Sequence, residues 1–320
     1  MKISHSRWNK LDESKRRIDY SSNKRFIWLE TESVWKEVSL AKVEISPIYG
    51  DLTVDSPWEG NCEKKPWNYK VKAVIPCLNT SETLKCCIEL LRLQTERPFI
   101  MIIDTGSQQD HLANTLDLRD EDVEVHSISL NGVLHPSDYP AMAMDLAMTL
   151  CRSKFMFATH ADVFIKRRDF LEHLYGVCEK GFPVVGYEIS PRAHSDWKGM
   201  VSHTATMYDM KVMDKIGFGW SLRRLCNEYD IVDYKPDPMR PSWPDTEILG
   251  NYILRKNNVL TKIIGHEQNQ ERTDDENIDH FRSYTSGKMY SPPHFKKTRA
   301  WFEDAILKAE KRIESWNGEA

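Results

Sequence analysis

Polar residues directly follow a strongly apolar segment near the middle of the chain. Residues 155–158, Phe-Met-Phe-Ala, have the composition of a buried strand, and Thr159, His160 and Asp162 come next. A carboxylate at the end of an inner strand costs free energy unless a partner compensates its charge. Asp162 therefore either caps the segment that follows or is delivered by the strand to a site.

Two other apolar segments end in the same way, one at residues 76–79 and the other at Asp104. Asp104 begins the sequence Asp-Thr-Gly-Ser, where it could accept a ligand's hydrogen bond, form an Asx-turn, or do both. In open α/β sheets, ligands bind outside the carboxyl ends of the strands. The three strand ends together therefore predict one site at a single rim.

The elements that would position these residues alternate between strands and helices. Strands are predicted at 69–78, 98–104, 123–129 and 154–162, and helices at 81–95 and 139–153. Strands that alternate with helices favour right-handed crossover connections. We therefore expect an α/β fold with a doubly wound, mostly parallel mixed sheet flanked by helices.

Alternation weakens after residue 181. Strands are predicted at 182–189 and 200–210, a helix at 242–258, and a last strand that ends at His266. The helix carries Asp245 and Glu247 in its first turn, where acidic residues also act as caps.

The two ends of the chain have a different character. Residues 1–68 show no regular pattern and are predicted to be an N-terminal extension packed on a core domain at 69–267. Residues 268–293 are polar and turn-rich, which predicts a mobile loop. An amphipathic helix is expected at about 296–316, docked on the body through an apolar side, although a partner or membrane surface is an alternative. That side consists of Trp301, Phe302, Ala305, Ala309, Ile313 and Trp316.

Composition indicates an ordinary soluble protein. The chain has 320 residues, 40% hydrophobic and 29% charged, with a net charge of −4 that gives no overall basic field for nucleic acid. No apolar run approaches the length of a membrane span, and the N-terminus lacks the apolar segment of a secretory signal. The seven cysteines include no C-x-x-C pair, so we expect a reducing compartment, the cytoplasm.

Five motifs in order resemble family 2 glycosyltransferases of the GT-A fold. They are VIPCLN (74–79), IIDTGSQ (102–108), THAD (159–162) at the Asp-x-Asp position, IGFGWS (216–221) and WPDTE (243–247). The resemblance covers residues 71 to about 267. Two residues depart from the family pattern: His160 stands where an aspartate is usual, and Pro244 stands where an acid often precedes the base.

The resemblance implies an inverting glycosyltransferase with a GT-A-like fold. Such an enzyme moves a sugar from a nucleotide-diphosphate-sugar, with a UDP-sugar as the favoured donor, to a hydroxyl acceptor. It would use Mn2+ or Mg2+, which prefer oxygen ligands. The acceptor could be a glycan, a protein or a modified base in DNA. The DNA acceptor would require a basic groove, for example around residues 166–168.

The resemblance also suggests roles for individual residues. Donor binding is predicted for Pro76, Cys77, Leu78, Asn79, Asp104, His160, Ala161 and Asp162. Metal binding is predicted for Asp162 and His266, general base catalysis for Asp245, and acceptor binding for Trp220, Trp243 and Glu247. Simpler roles stay open: a structural hydrogen bond for each histidine, capping for Asp245 and burial for both tryptophans.

Two other classes of function compete with this one. A nucleotidyltransferase also combines a doubly wound sheet with a metal-binding carboxylate, but residues 76–85 lack the Gly-rich phosphate loop expected after the first strand. A non-catalytic nucleotide-sugar-binding module would explain His160 as a sign of lost metal binding. The sequence gives no indication of the oligomeric state.

Overall fold

A computed structural model of the chain describes residues 69–130, 138–189, 199–221, 246–267, 272–281 and 292–319. Before residue 69 it describes the backbone of five strands, and side chains are described for 69–128, for the ranges between 138 and 281, and for 301–319. Asp245 and Trp243 lie outside the described residues.

The strands and helices are numbered in chain order. The strands are β1 Lys2–Ile3, β2 Arg16–Asp19, β3 Lys24–Leu29, β4 Val34–Leu40, β5 Leu52–Asp55, β6 Val71–Cys77, β7 Phe99–Asp104, β8 Val123–Leu130, β9 Phe155–Thr159, β10 Val163–Ile165, β11 Val184–Glu188, β12 Ala205–Asp209, β13 Thr261–His266, β14 Arg272–Asp274 and β15 Ile278–Phe281. The helices are α1 Ser81–Arg92, α2 Gln109–Leu116, α3 Asp138–Leu150, α4 Phe170–Glu179, α5 Met210–Ile216, α6 Ile248–Lys256 and α7 Pro292–Gly318.

The largest sheet has eight strands in the order β13-β11-β12-β9-β6-β7-β8-β5. Strands β5 and β12 run antiparallel to their neighbours, and the other six strands share one direction. Helices cover both faces, which explains why β7 is buried along its whole length. The predicted α/β fold with a mostly parallel mixed sheet flanked by helices is therefore confirmed.

The hydrophobic core has two main layers, one on each face of this sheet. One layer joins β6, β7 and β9 to helices α1, α4 and α7. The other layer joins the opposite side chains of the same strands to α3 and α5. Both layers leave the carboxyl ends of β6, β7 and β9 at one edge, where the predicted site residues begin.

Gly186 lies at a close contact between two strands of the sheet. A Cβ atom at Gly186 of β11 would meet the Thr206 side chain of β12, with Oγ1 at 1.8 Å. We expect Gly186→Ala to lower the free energy of unfolding by about 1–3 kcal/mol, because overpacking a buried sheet forces neighbours to move. Urea unfolding measures this change.

Gly176 of α4 provides the matched control. A Cβ atom there would meet no atom within 4 Å. Gly176→Ala should therefore raise stability by about 0.5–1 kcal/mol, since alanine restricts the unfolded chain and favours helix. An unchanged urea midpoint for Gly186→Ala, relative to the wild type, would contradict the close contact.

The N-terminal residues contain more regular structure than their sequence indicated. Strands β1 to β4 form a separate four-stranded sheet in the order β1-β4-β3-β2. Strand β5 pairs antiparallel with β8 and so extends the large sheet by one strand. The domain boundaries at residues 68 and 267 stay predictions.

The predicted mobile loop at 268–293 is wrong for residues 272–281. These residues form β14 and β15, which pair with each other and, through β15, with β10. The sequence is polar, but its charges are neutralised by ion pairs between Arg272 and Asp279 and between Lys166 and Asp274. The ion pair with Arg272 allows the charged side chain of Asp279 to be buried.

The C-terminal helix α7 docks on the body as predicted. Its buried side chains Phe302, Ala305, Ala309 and Trp316 belong to the core layer of α1. The exception is Trp301, which was predicted on this apolar side but is 44% exposed. None of the helices that the structure describes is long and apolar enough to cross a membrane.

Candidate functional site

Three side chains with metal-binding groups converge beyond the end of β9. One ligand atom each from His160, Asp162 and His280 lies within 4.8 Å of the others. The Nε2 atom of His280 is 3.6 Å from Oδ1 of Asp162, and both residues are buried. Two imidazoles and one carboxylate are a donor set found in metal proteins, so the residues present fit a divalent cation.

Local backbone hydrogen bonds place these three residues together. His160 and Asp162 lie in the turn between β9 and β10, where Val163 N donates to His160 O at 3.2 Å. Strand β15 runs antiparallel to β10 with His280 opposite Val163. Phe281 N then donates to Asp162 O at 3.1 Å. The β14–β15 hairpin thus delivers His280 to the turn that carries Asp162.

A cysteine of α1 holds the same turn from the core side. The Sγ atom of Cys87 donates to Ala161 O at 3.1 Å and to Val163 O at 3.4 Å. Burial raises the pKa of the Cys87 thiol well above its usual value, and the nearby charge of Asp162 raises it further. The thiol therefore keeps the proton that it donates to the turn.

A third histidine and a carboxylate extend the cluster. The ring of His203 lies 4.4 Å from that of His160, centroid to centroid, and the His280 ring meets His160 edge-on at 5.5 Å. The Nδ1 atom of His203 is 2.8 Å from Oε1 of Glu247, close enough for an ion pair. Glu247, predicted to bind the acceptor, is thus buried against a histidine of the candidate site.

A second buried carboxylate is satisfied by hydroxyl groups beside this cluster. Ser202 Oγ and Thr204 Oγ1 donate to Glu267 Oε1 at 2.7 and 2.9 Å. Ser202 Oγ also lies 3.5 Å from Glu247 Oε1. Since buried carboxylates need such partners, these hydroxyls link the two acids into one polar network.

The loop after β7 is organised by Asp104. Its Oδ1 accepts hydrogen bonds from the backbone of Gly106 and Ser107 at 3.0 and 2.9 Å, which is the predicted Asx-turn. The left-handed φ of 99° at Gly106 suits glycine. Asp104 is fully buried, and its Oδ2 has no hydrogen-bond partner among the described residues.

Asn79 connects the loop after β6 to the loop after β7. Its backbone N donates to Ser107 Oγ, and its Oδ1 accepts from Gln108 N, both at 2.8 Å. Strands β6 and β7 also pair Cys77 with Asp104 in register. Cys77 is buried, while Pro76 and Leu78 are partly exposed. The structure thus brings residues 76–79 and the Asp104 loop side by side.

Two other predicted residues lie away from the three metal-binding groups. His266 ends β13, is largely exposed and contacts Glu188, with Nδ1 2.5 Å from Oε2. Strands β11 and β12 separate β13 from β9, so His266 is not in the group formed by His160, Asp162 and His280. Trp220 is buried and packs against Phe218, which makes it a core residue rather than an exposed aromatic face.

His203 and His280 were not predicted from the sequence. His280 follows the turn-type sequence 274–277 in a short hairpin, and this turn was its one local signal. His203 lies two residues before β12, which is antiparallel to β9. Antiparallel pairing puts the start of β12 beside the end of β9, and the prediction of a mostly parallel mixed sheet did not say which strand would be antiparallel.

No protein-family model matches the chain, and no curated protein matches it in sequence. Among solved structures, the chain is similar to mannosyltransferase PcManGT from Pyrobaculum calidifontis in complex with GDP-Man and Mn2+. The identity is 12% and the TM-score 0.44, over 64% of this chain and 60% of that one.

It is also similar to TarS 1–349 of S. aureus in complex with UDP-GlcNAc, with 13% identity and a TM-score of 0.36 over 48% of each chain. A third similar structure is glucosyl-3-phosphoglycerate synthase from Mycobacterium tuberculosis in complex with Mn2+, UDP-glucose and phosphoglyceric acid. There the identity is 12% and the TM-score 0.38, over 64% of this chain and 73% of that one. The chain thus spans 60% and 48% of the first two structures.

Proposed function

We propose that the protein is a glycosyltransferase that transfers a sugar from a nucleotide-diphosphate-sugar to a hydroxyl acceptor in a single displacement with inversion. The observation that carries this proposal is the arrangement at one sheet edge. The buried Asp104 loop and the group of His160, Asp162 and His280 follow strands β7 and β9, which both flank β6.

The donor would lie along this edge, with a UDP-sugar as the favoured donor. Residues 76–79 and the free Oδ2 of Asp104 would receive the nucleoside, since a buried acceptor favours a ligand that donates a hydrogen bond. His160, Asp162 and His280 would hold the cation beside the diphosphate. A bound divalent cation, Mn2+ or Mg2+ in the simplest case, would stabilise the charge that develops on the leaving diphosphate.

The acceptor hydroxyl must lose a proton as it attacks the anomeric carbon. We assign this proton to Asp245, two residues before Glu247, because a carboxylate near the acceptor can act as general base. The contact between Glu247 and His203 holds the start of α6 against the candidate site. Glu247 is therefore assigned to positioning this segment, and Trp243 to the acceptor side.

Two alternatives are less well supported by the geometry. A DNA acceptor required a basic groove at residues 166–168, but each of these side chains forms an ion pair, with Asp274, Asp169 and Glu319 respectively. We therefore propose a glycan or protein hydroxyl as the acceptor. A binding module without a metal was suggested because His160 stands where an aspartate is usual. His280 supplies an additional donor beside His160 and Asp162, which favours metal binding.

Turnover of nucleotide-sugars tests the proposal. With Mn2+ present, the purified protein is expected to release the nucleoside diphosphate slowly from one member of a panel of nucleotide-sugars. Asp245→Asn should lower this rate by about 100-fold or more, since general bases contribute factors of that order. The variant should still bind the donor, which a thermal shift detects. Turnover that neither a chelator nor Asp245→Asn affects would refute the proposal.

A further inference from the structure

The candidate metal site differs in its chemistry from a site made of carboxylates. Two of its three donors are imidazole nitrogens, from His160 and His280, and only Asp162 supplies oxygen. Mg2+ is a hard cation that prefers oxygen ligands in octahedral geometry. Imidazole suits Fe2+, Co2+, Ni2+ and Zn2+, and affinity rises along the first-row series from Mn2+ towards Cu2+.

Neighbouring carboxylates do not make the site more oxygen-rich. Within the part of the chain that the structure describes, the group of mutually close ligand atoms contains Asp162 as its one acid. Glu247 contacts His203, and Glu267 accepts from Ser202 and Thr204. Each of these contacts engages Oε1 of the acid concerned.

Both imidazoles are held in place by packing. The His160 ring lies between contacts to His203 and His280, while His280 is 2% exposed on a paired strand. Donors that are fixed before binding lose little freedom when an ion arrives. Packing therefore fixes the positions of both imidazole rings before any ion binds.

We infer that this site selects a nitrogen-preferring transition-metal ion, of the class from Fe2+ to Zn2+, over Mg2+. The inference rests on the metal site of the proposed function and deepens it, because it assigns to His160 the choice between hard and softer cations. At position 160 an aspartate would favour a hard cation, whereas a histidine shifts the preference towards softer ions.

Cation binding to the metal-free full-length protein tests this inference without any turnover. We expect Co2+ to bind with visible absorption bands and, by calorimetry, roughly 100-fold more tightly than Mg2+. Millimolar Mg2+ should leave the Co2+ spectrum unchanged, and Zn2+ should abolish it. Equal affinities for Co2+ and Mg2+ would overturn the inference.

Three histidine variants test which side chains bind Co2+. His280→Ala should weaken Co2+ binding by about tenfold or more, a typical penalty for disturbing a metal site. His173→Ala, at an exposed position on α4, is the matched control and should have no effect. Loss of Co2+ binding in His266→Ala but not in His280→Ala would assign the site to the other histidine and contradict the geometry.

His160→Asp tests the inference in the opposite direction. A second carboxylate should strengthen Mg2+ binding and weaken Co2+ binding, so that the ratio of their affinities falls about tenfold or more. An unchanged ratio would overturn the role of His160. Preferential binding of Mg2+ to the wild type would overturn the inference and leave the proposed function intact. Preferential Co2+ binding without turnover of any nucleotide-sugar would do the reverse.

Discussion

Replacing Asp162 with asparagine is expected to abolish cation binding and to lower turnover of the nucleotide-sugar by at least about 100-fold. Asp162 supplies the one negative charge among the three donors, and asparagine preserves its shape while removing that charge. Calorimetry with Co2+ and steady-state release of the nucleoside diphosphate measure the two effects.

A control for this variant is Asp169→Asn. Asp169 also pairs with a cation, Arg167, but it is 55% exposed and lies at the start of α4. Exposed ion pairs contribute little, so the variant should match the wild type in both assays. If Asp162→Asn keeps full cation affinity, the metal site lies elsewhere in the molecule.

The second large effect is expected at a buried ion pair within the sheet. Lys72 of β6 donates from Nζ to Oε1 of Glu124 on β8 at 2.8 Å, and both residues are buried. Glu124→Gln would leave the ammonium group buried without its counter-charge. We expect the free energy of unfolding to fall by roughly 3–5 kcal/mol, the usual cost of breaking a buried pair.

The pH dependence of stability follows from the same pair. Burial by itself would raise the pKa of Glu124, but the charge of Lys72 and hydrogen bonds from His126 and Lys72 outweigh it and lower the pKa from 4.5 to about 2. The carboxylate therefore contributes stability above pH 4.5 and loses it as the pH falls towards 2. Urea unfolding at several pH values should show that the free energy of unfolding falls less between pH 4.5 and 2 for Glu124→Gln than for the wild type.

The double variant Lys72→Met, Glu124→Leu separates charge from packing. Apolar replacement of a whole buried pair is often neutral or stabilising, so most of the lost stability should return. Asp304→Asn removes an exposed pair with Lys308 on α7 and should change little. A single Glu124→Gln variant as stable as the wild type would show that the pair is unimportant.

The central strands could be predicted from the sequence because their burial depends on local composition. The runs at 71–77, 99–104 and 155–159 are mostly apolar and are buried on both faces, which is characteristic of inner strands of a parallel sheet. The antiparallel insertion of β12 between β9 and β11 was not predictable in this way. It depends on pairing between distant segments.

The candidate site was partly predictable for a related reason. His160, Asp162 and Asp104 stand directly after apolar strands, so their place at the sheet edge follows from the chain itself. His266 also ends a strand, but its side chain is largely exposed and contacts Glu188 instead of the other ligands. His280 is brought to the site by the pairing of β15 with β10 and by the long-range ion pair of Lys166 and Asp274, which composition does not reveal.

The hairpin of β14 and β15 determines when the proposed cation site is completed during synthesis of the chain. Two of the three donors, His160 and Asp162, lie close together in the sequence, and His280 follows them about 120 residues later. An unfinished chain emerging from the ribosome would therefore hold an incomplete chelate and bind the ion weakly. The ion would therefore bind late in folding. It would stabilise the native state after assembly and would not direct the first collapse of the polypeptide.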